Sequence, residues 1–327
     1  MRRRRARWIA AAAAGLLIAA LAAQALLARG PIPPGPGPAG SFAAPAARHS
    51  ATIWAVGDGA DGSAHGKRVA GLIERGHPAR LLYLGDVYES GTAAEFKDNY
   101  ASVYGGLRRA TAPTPGNHDW PQHQAGYDPY WARLTGRRPP DHYSFRLAGW
   151  EILSLNSEGP LDEQTVQQRW LRDKLSGPGN CRIAFWHRPR FSAGSHGDQE
   201  DVDPIWSALQ GRARLVLNGH EHNMQELRRR DGVTALIAGA GGHGHYSLDD
   251  GDDRLAWSDD RTDGALRLRL RPGRADYAFV AADGRVLRRG VATCRGQEQG
   301  AAAPARSGRV TSSRTSTGVP HTRPASR

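Results

Sequence analysis

Residues 113–122 read "PTPGNHDWPQ" and set Asn117, His118 and Asp119 on a sharp bend behind two prolines and a glycine. Pro, Gly, Asn and Asp are ordinary turn formers, so a turn alone explains the stretch taken by itself. The sequence on either side changes its meaning. Upstream, "ATIWAVG" (51–57) and "ARLLYLG" (79–85) are short apolar runs that each end in Gly-Asp and deliver Asp58 and Asp86. Downstream, "CRIAFWH" (181–187) ends on His187, and "ARLVLNG" (213–219) leads into His220 and His222 of "NGHEHN". Each run has the length and composition of a buried strand. Strand-like segments thus deliver Asp, Asn or His at the same end, which is where ligands collect in α/β sheets.

The rest of the middle region alternates in the same way. "GKRVAGLIERG" (66–76) has helical periodicity and a glycine stop. "TAAEFKDNYASVYGGL" (92–107) reads as a helix with Thr92 as its cap and Glu95 three residues on, a capping box. "DEQTVQQRWLRDKL" (162–175) reads as a helix with Val166, Leu171 and Leu175 on one side. "HYSFRLAGWEILSLNS" (142–157) reads as a hairpin turning at Ala148–Gly149, and "VTALIAG" (233–239) as one more buried strand. The region closes with three alternating strands across 264–291, joined by "RPGR" and "ADGR" turns. Strand-helix alternation early and hairpins late predict an α/β domain with mixed sheets.

Carboxylate oxygen and imidazole nitrogen suit hard and borderline cations. One Asp can bridge two metals through its two oxygens, and an Asn carbonyl and several His complete such a pair. Two ions about 3.5–4 Å apart clamp the attacking and leaving oxygens of a phosphoryl displacement.

In order along residues 52–225, "GDG" (57–59), "GDVY" (85–88), "GNHD" (116–119), "FWH" (185–187) and "GHEH" (219–222) resemble the motifs of the calcineurin-like metallophosphoesterase superfamily, in particular its purple acid phosphatase-like branch. The resemblance implies a sandwich of two mixed β-sheets flanked by α-helices. It implies that Asp58 and His222 hold a first metal, that Asn117, His187 and His220 hold a second, and that Asp86 bridges both. It gives His118 the substrate phosphate and the leaving oxygen, with Asp119 orienting its ring. The implied reaction is hydrolysis of a phosphomonoester by a metal-bound hydroxide, on iron paired with zinc, manganese or a second iron. Phosphodiesters or nucleotides on the same site are the alternative substrates; a non-catalytic binding protein on the same fold is the alternative of another class.

Two departures stand out. Many superfamily members carry Asp-x-His in the first motif, where this chain has Ala60. The purple branch instead uses a Tyr three residues after the bridging Asp; here Tyr88 lies two residues after Asp86, and Glu89 takes the third place. Tyr88 is either a ligand delivered by a shortened loop or a packing aromatic. His65, His123, His196, His243 and His245 lie in loops, and they either line the mouth of the site or stand apart from it.

The ends of the chain differ from the middle. Five arginines precede an apolar run from Trp8 to Ala28, so residues 1–29 read as a cleaved export signal or an uncleaved membrane anchor. Residues 30–50 are a Pro/Gly/Ala-rich linker, 51–294 the catalytic domain, and 295–327 a basic tail too poor in apolar bulk to fold. The net charge is +12, of which the first 30 residues carry +6 and the tail +5, leaving +1 for the middle. A nearly neutral domain excludes the high charge as a reason to expect nucleic-acid binding. Two cysteines, Cys181 and Cys294, in an exported domain invite a disulfide, with two buried free thiols as the alternative. The expected location is outside the cytoplasm, secreted or membrane-attached, with a phosphate ester as partner.

Overall fold

The computed structural model describes residues 49–136 and 138–294. The expected signal or anchor, nearly all of the linker and the basic tail lie outside the described residues. Two sheets form the body. The six-stranded sheet contains β1 (Ala51–Val56), β2 (Arg80–Tyr83), β3 (Thr111–Pro113), β11 (Gly264–Arg271), β12 (Arg274–Ala281) and β13 (Val286–Thr293), in the order β13-β12-β11-β1-β2-β3. The seven-stranded sheet contains β4 (Tyr143–Leu147), β5 (Trp150–Ser154), β6 (Arg182–Phe185), β7 (Leu215–Asn218), β8 (Met224–Leu227), β9 (Thr234–Ala238) and β10 (Leu255–Asp259), in the order β10-β8-β9-β7-β6-β5-β4. Both are mixed: β1, β2 and β3 run parallel, as do β5, β6, β7 and β9, while the hairpin strands add antiparallel edges.

Period-two alternation divides the core. In β6, Ile183 and Phe185 face the larger apolar cluster, which also holds residues of the first sheet; Ala184 and Trp186 belong to the outer cluster. Leu215 and Leu217 against Val216 in β7 follow the same rule. The outer cluster is closed by α4 (Val166–Ser176) and α5 (Asp203–Leu209). On the first sheet, α1 (Ala64–Arg75) buries Val69, Ala70, Leu72 and Ile73. The two sheets with flanking helices are the architecture that the motif resemblance implied.

Local signals explain most element boundaries. Thr92 Oγ1 accepts the Glu95 N–H and Glu95 Oε2 accepts the Thr92 N–H, so the capping box forms. The helix it opens, α2, runs through Ala93–Glu95, a wider π turn at Phe96–Tyr100 and Ala101–Tyr104. Tyr127–Thr135 forms α3. The β4–β5 hairpin turns at Ala148 (φ 49°) and Gly149 (φ 82°), the two left-handed residues of a tight hairpin. Helix α4 starts later than the sequence pattern suggested, because Thr165 caps it by accepting the Gln168 N–H. Val166 consequently sits in the first turn and is 66% exposed, off the face that buries Leu171 and Leu175. Cys181 and Cys294 are disulfide-bonded, with Cα atoms 5.1 Å apart. The bond joins the end of β13 in one sheet to the start of β6 in the other.

Candidate metal centre

Asp58, Asp86 and His187 follow β1, β2 and β6, two strands from one sheet and one from the other. One ligand atom of each lies within 4.8 Å of the other two, and all three residues are buried. Asp58, Asp86 and His220 have φ of 60°, 68° and 71°. Non-glycine residues rarely adopt this left-handed region, Asp and His more readily than most, and such strain clusters at functional sites. Glycine permits the closest approach: a Cβ on Gly116 would lie 2.0 Å from Asp86 Oδ1.

His187 shows what the centre lacks. Its Nδ1–H donates to the Leu84 carbonyl at 2.8 Å. Its Nε2 faces Asn117 Oδ1 at 2.9 Å and Asp86 Oδ2 at 3.2 Å. Three acceptor-bearing groups thus converge on one point, which needs a proton or a cation. Burial disfavours a charged His187 ring, but Asp86, Asp58 and Glu158 together outweigh it and push the ring up to about 10. Burial drives the Asp58 carboxyl well above the ordinary range; His187 opposes that and Asp86 adds to it. Burial also works against the Asp86 anion, yet His187 prevails and holds it at about 2. Burial, then His187 and His196, press His220 down to about 2; burial, then His243, press His222 down to about 3. Neutral imidazoles keep a lone pair for coordination. The buried Asp58 and Asp86, the neutral His220 and His222, and a His187 whose Nε2 holds a proton that a cation can replace form a donor set that fits divalent or trivalent cations.

Tyr88 enters this set. Its hydroxyl oxygen lies 3.1 Å from Asp58 Oδ1, 3.3 Å from Asp86 Oδ2 and 2.8 Å from His222 Nε2. Its ring stacks on His243 at 3.6 Å. Glu89, the residue at the spacing of the purple branch, is 71% exposed at its side chain, and its carboxylate faces His243 Nε2 at 3.6 Å. The backbone arranges this: Tyr88 N–H donates to Ala60 O at 3.1 Å, and Asn99 of the π turn donates to the Tyr88 carbonyl at 2.6 Å. Ala60, where other superfamily members place a His, is buried and pairs with Val87. The structure thus brings Asp58, Asp86, Tyr88, Asn117, His187, His220 and His222 around one buried centre.

His118 is half-buried beside it, with its ring 4.8 Å from that of Tyr88. Asp119 does not orient that ring. His118 Nδ1–H donates to the Glu89 carbonyl at 2.6 Å. The Asp119 carboxylate instead accepts the backbone N–H groups of Asp86, Val87 and Gly116 at 2.9, 3.0 and 2.9 Å. The reason is geometric: those three N–H groups leave the Asp119 oxygens committed inside the bend, and the carbonyl of the neighbouring loop takes the ring proton.

Of the loop histidines, His196 stacks on His220 at 4.2 Å and His243 on Tyr88. His245 turns Nδ1 to the His222 carbonyl at 3.2 Å and Nε2 to the Asp263 carboxylate at 3.0 Å, and Asp263 also pairs with His65. His123 stands apart, stacked on Trp120 and paired with Asp128. Sequence reading missed Glu221. Its side chain is fully buried and its Oε1 accepts Ser192 Oγ–H and the N–H groups of His196 and Gly197 at 3.0, 3.0 and 3.1 Å. The available signal was a carboxylate between two histidines in the polar turn "NGHEHN" (218–223).

A family model, Calcineurin-like phosphoesterase, matches residues 52–224. No curated protein matches the chain. Among solved structures, purple acid phosphatase PPD1 from yellow lupin (Lupinus luteus) aligns with a TM-score of 0.61 at 13% identity, covering 78% of this chain and 55% of the lupin one. The GAP50 anchor in the inner membrane complex of Plasmodium aligns at 0.60 and 16% identity, over 75% and 89% of the two chains. A dimetal phosphatase from Danio rerio aligns at 0.50 and 11%, over 74% and 98%. This chain spans about half the length of the lupin enzyme. At such identities the likeness is one of fold.

Proposed function

Because the chain belongs to the calcineurin-like phosphoesterase family, we propose that it is a two-metal phosphoesterase that hydrolyses phosphomonoesters outside the cytoplasm. The observation that carries this reading is the convergence of Asp58, Asp86 and His187 from two sheets. Asp58, Tyr88 and His222 would hold one ion, Asn117, His187 and His220 the other, with Asp86 shared. When bound, such a pair supplies Lewis acidity to phosphoryl oxygens and acidity to water.

The chain's own residues supply the rest. The Glu89 carbonyl fixes the proton on His118 Nδ1, so Nε2 is the nitrogen left to carry a proton to a leaving oxygen. His187 Nδ1–H, held by the Leu84 carbonyl, fixes that ring's tautomer and leaves Nε2 for coordination. Export is supported by the Cys181–Cys294 bond, since disulfides persist in oxidising compartments. The N-terminal pattern of basic residues and an apolar run points the same way.

The test is metal analysis of the purified chain together with hydrolysis of an aryl phosphate across added Fe, Zn and Mn. Asp86→Ala should lower metal content and abolish turnover. A variant that keeps two ions per chain and normal turnover would overturn the assignment.

A further inference from the structure

We propose that a groove beside the candidate metal centre is a subsite for the aromatic, anionic leaving group of a nucleoside diphosphate, whose terminal phosphoanhydride bond water would cleave to release inorganic phosphate and the nucleoside monophosphate. The proposal rests on the phosphoesterase reading above and extends it from an ester to an anhydride at the same site. The groove is a cavity of about 870 Å³ whose walls include Trp120, Arg138, His142, Asn156, Trp170 and Lys174.

Its place follows from the strand register. In the seven-stranded sheet β4, β5 and β6 are neighbours. Tyr143 pairs with Ser154, and Ser154 with Phe185. His142, just before Tyr143, and Asn156, just after Ser154, therefore lie on the same sheet edge as His187, just after Phe185. Adjacent strands are ~4.8 Å apart, which sets β4 roughly 10 Å from β6. Trp120, two residues beyond His118, forms the wall on the side of the "GNHD" bend. A substrate whose terminal phosphate reached the metal centre could extend its leaving group along this edge.

The lining is chemically specific. The Trp170 ring lies 4.8 Å from that of His142, and Lys174 Nζ sits 5.7 Å from the Trp170 centroid. Among the described residues, Arg138 Nε and His142 Nδ1 are buried without a hydrogen-bond partner. Among the same residues, the Arg138 guanidinium pairs at long range, 3.6 Å to Asp128 and 3.7 Å to Asp141. Buried nitrogens without partners favour a ligand that brings polar oxygens, and tryptophan faces favour a flat π-system. A small alkyl phosphate offers no ring. A nucleotide offers a base for the tryptophans and further oxyanions for Arg138 and Lys174.

The experiment compares ADP with glycerol 2-phosphate as substrates of the metal-loaded full chain, in the parent and in Trp170→Ala and Lys174→Gln. Lys174 is exposed and Trp170 half-buried at the edge of the outer apolar cluster, and neither is placed in the metal centre. The expected result for ADP is a KM raised about tenfold in Trp170→Ala, the loss of one stacked base, with kcat nearly unchanged. Lys174→Gln should raise it severalfold, and glycerol 2-phosphate kinetics should not move in either variant. Equal shifts for both substrates, or ADP kinetics unmoved in both variants, overturn the proposal. Calorimetric titration of AMP into the chelator-treated full chain separates the two readings. If no phosphoester is hydrolysed, the phosphoesterase reading falls, yet AMP binding that weakens in Trp170→Ala still supports the groove. AMP binding that is absent, or unchanged in the variant, overturns the groove whatever the hydrolysis assay shows.

Discussion

Asp119 holds Asp86 in place: one oxygen accepts the Asp86 backbone N–H at 2.9 Å and the other accepts the Val87 N–H at 3.0 Å. The same carboxylate accepts the Gly116 N–H, so it ties the loop after β2 to the bend after β3. A residue read from sequence as a partner of an imidazole is thus a backbone clamp. Asp119→Ala would leave three buried N–H groups without an acceptor, at about 1–3 kcal/mol for each left unsatisfied. We expect urea unfolding to show a loss of at least ~2 kcal/mol, together with weaker metal binding. Asp119→Asn, which keeps an acceptor oxygen, should recover part of both. An alanine variant with an unchanged urea midpoint would show that the clamp has no energetic weight.

Tyr88 gives a spectroscopic prediction. Its hydroxyl oxygen lies within 3.3 Å of Asp58, Asp86 and His222, and a phenolate is a hard oxygen donor suited to ferric iron. The ferric-loaded protein should show a visible tyrosinate charge-transfer band, and Tyr88→Phe should erase it. A ferric sample without the band would remove Tyr88 from the ligand set and leave the other donors untouched.

The Cys181–Cys294 bond spans 113 residues. In the chain-entropy account a loop of that size corresponds to roughly 4–5 kcal/mol of stabilisation. Replacing both cysteines with serine should lower the urea midpoint accordingly. Peptide mapping of native protein without reductant should recover the linked pair; two alkylatable thiols would contradict it.

Glu221 makes a local prediction. Because its carboxylate collects the amides of His196 and Gly197, Glu221→Ala should raise hydrogen exchange at those two amides far more than in β6 or β7. Uniform exchange changes across the chain would mean that Glu221 stabilises the fold at large rather than this loop.

How much of this was legible beforehand depends on the range of the interaction. Apolar runs ending in Gly-Asp or on His are local patterns, so β1, β2, β6 and β7 and the residues after them could be read directly. The division into two sheets came from the motif resemblance and not from local pattern, because it depends on distant pairings such as Ala51 with Leu270. Strand β10 has no residue fully buried, so its sequence carries no alternating imprint. Val166 reads as lying on one side of the helix with Leu171 and Leu175 because the apolar pattern alone does not show that Thr165 is the cap. The polar partners of Asp119 and Glu221 are backbone N–H groups, which every residue except proline possesses and which therefore leave no trace in the sequence.

Strand polarity has a consequence for attachment. Ala51, the start of β1, pairs with Leu270, and Thr293, the end of β13, pairs with Arg274 across a two-residue turn from Arg271. Entry and exit of the described chain therefore share one pole, and Asp58 lies at the other end of β1. Immobilising the protein through either terminus should leave that far pole facing open solvent, so a terminal tether of any chemistry would present the metal centre outward to whatever diffuses past.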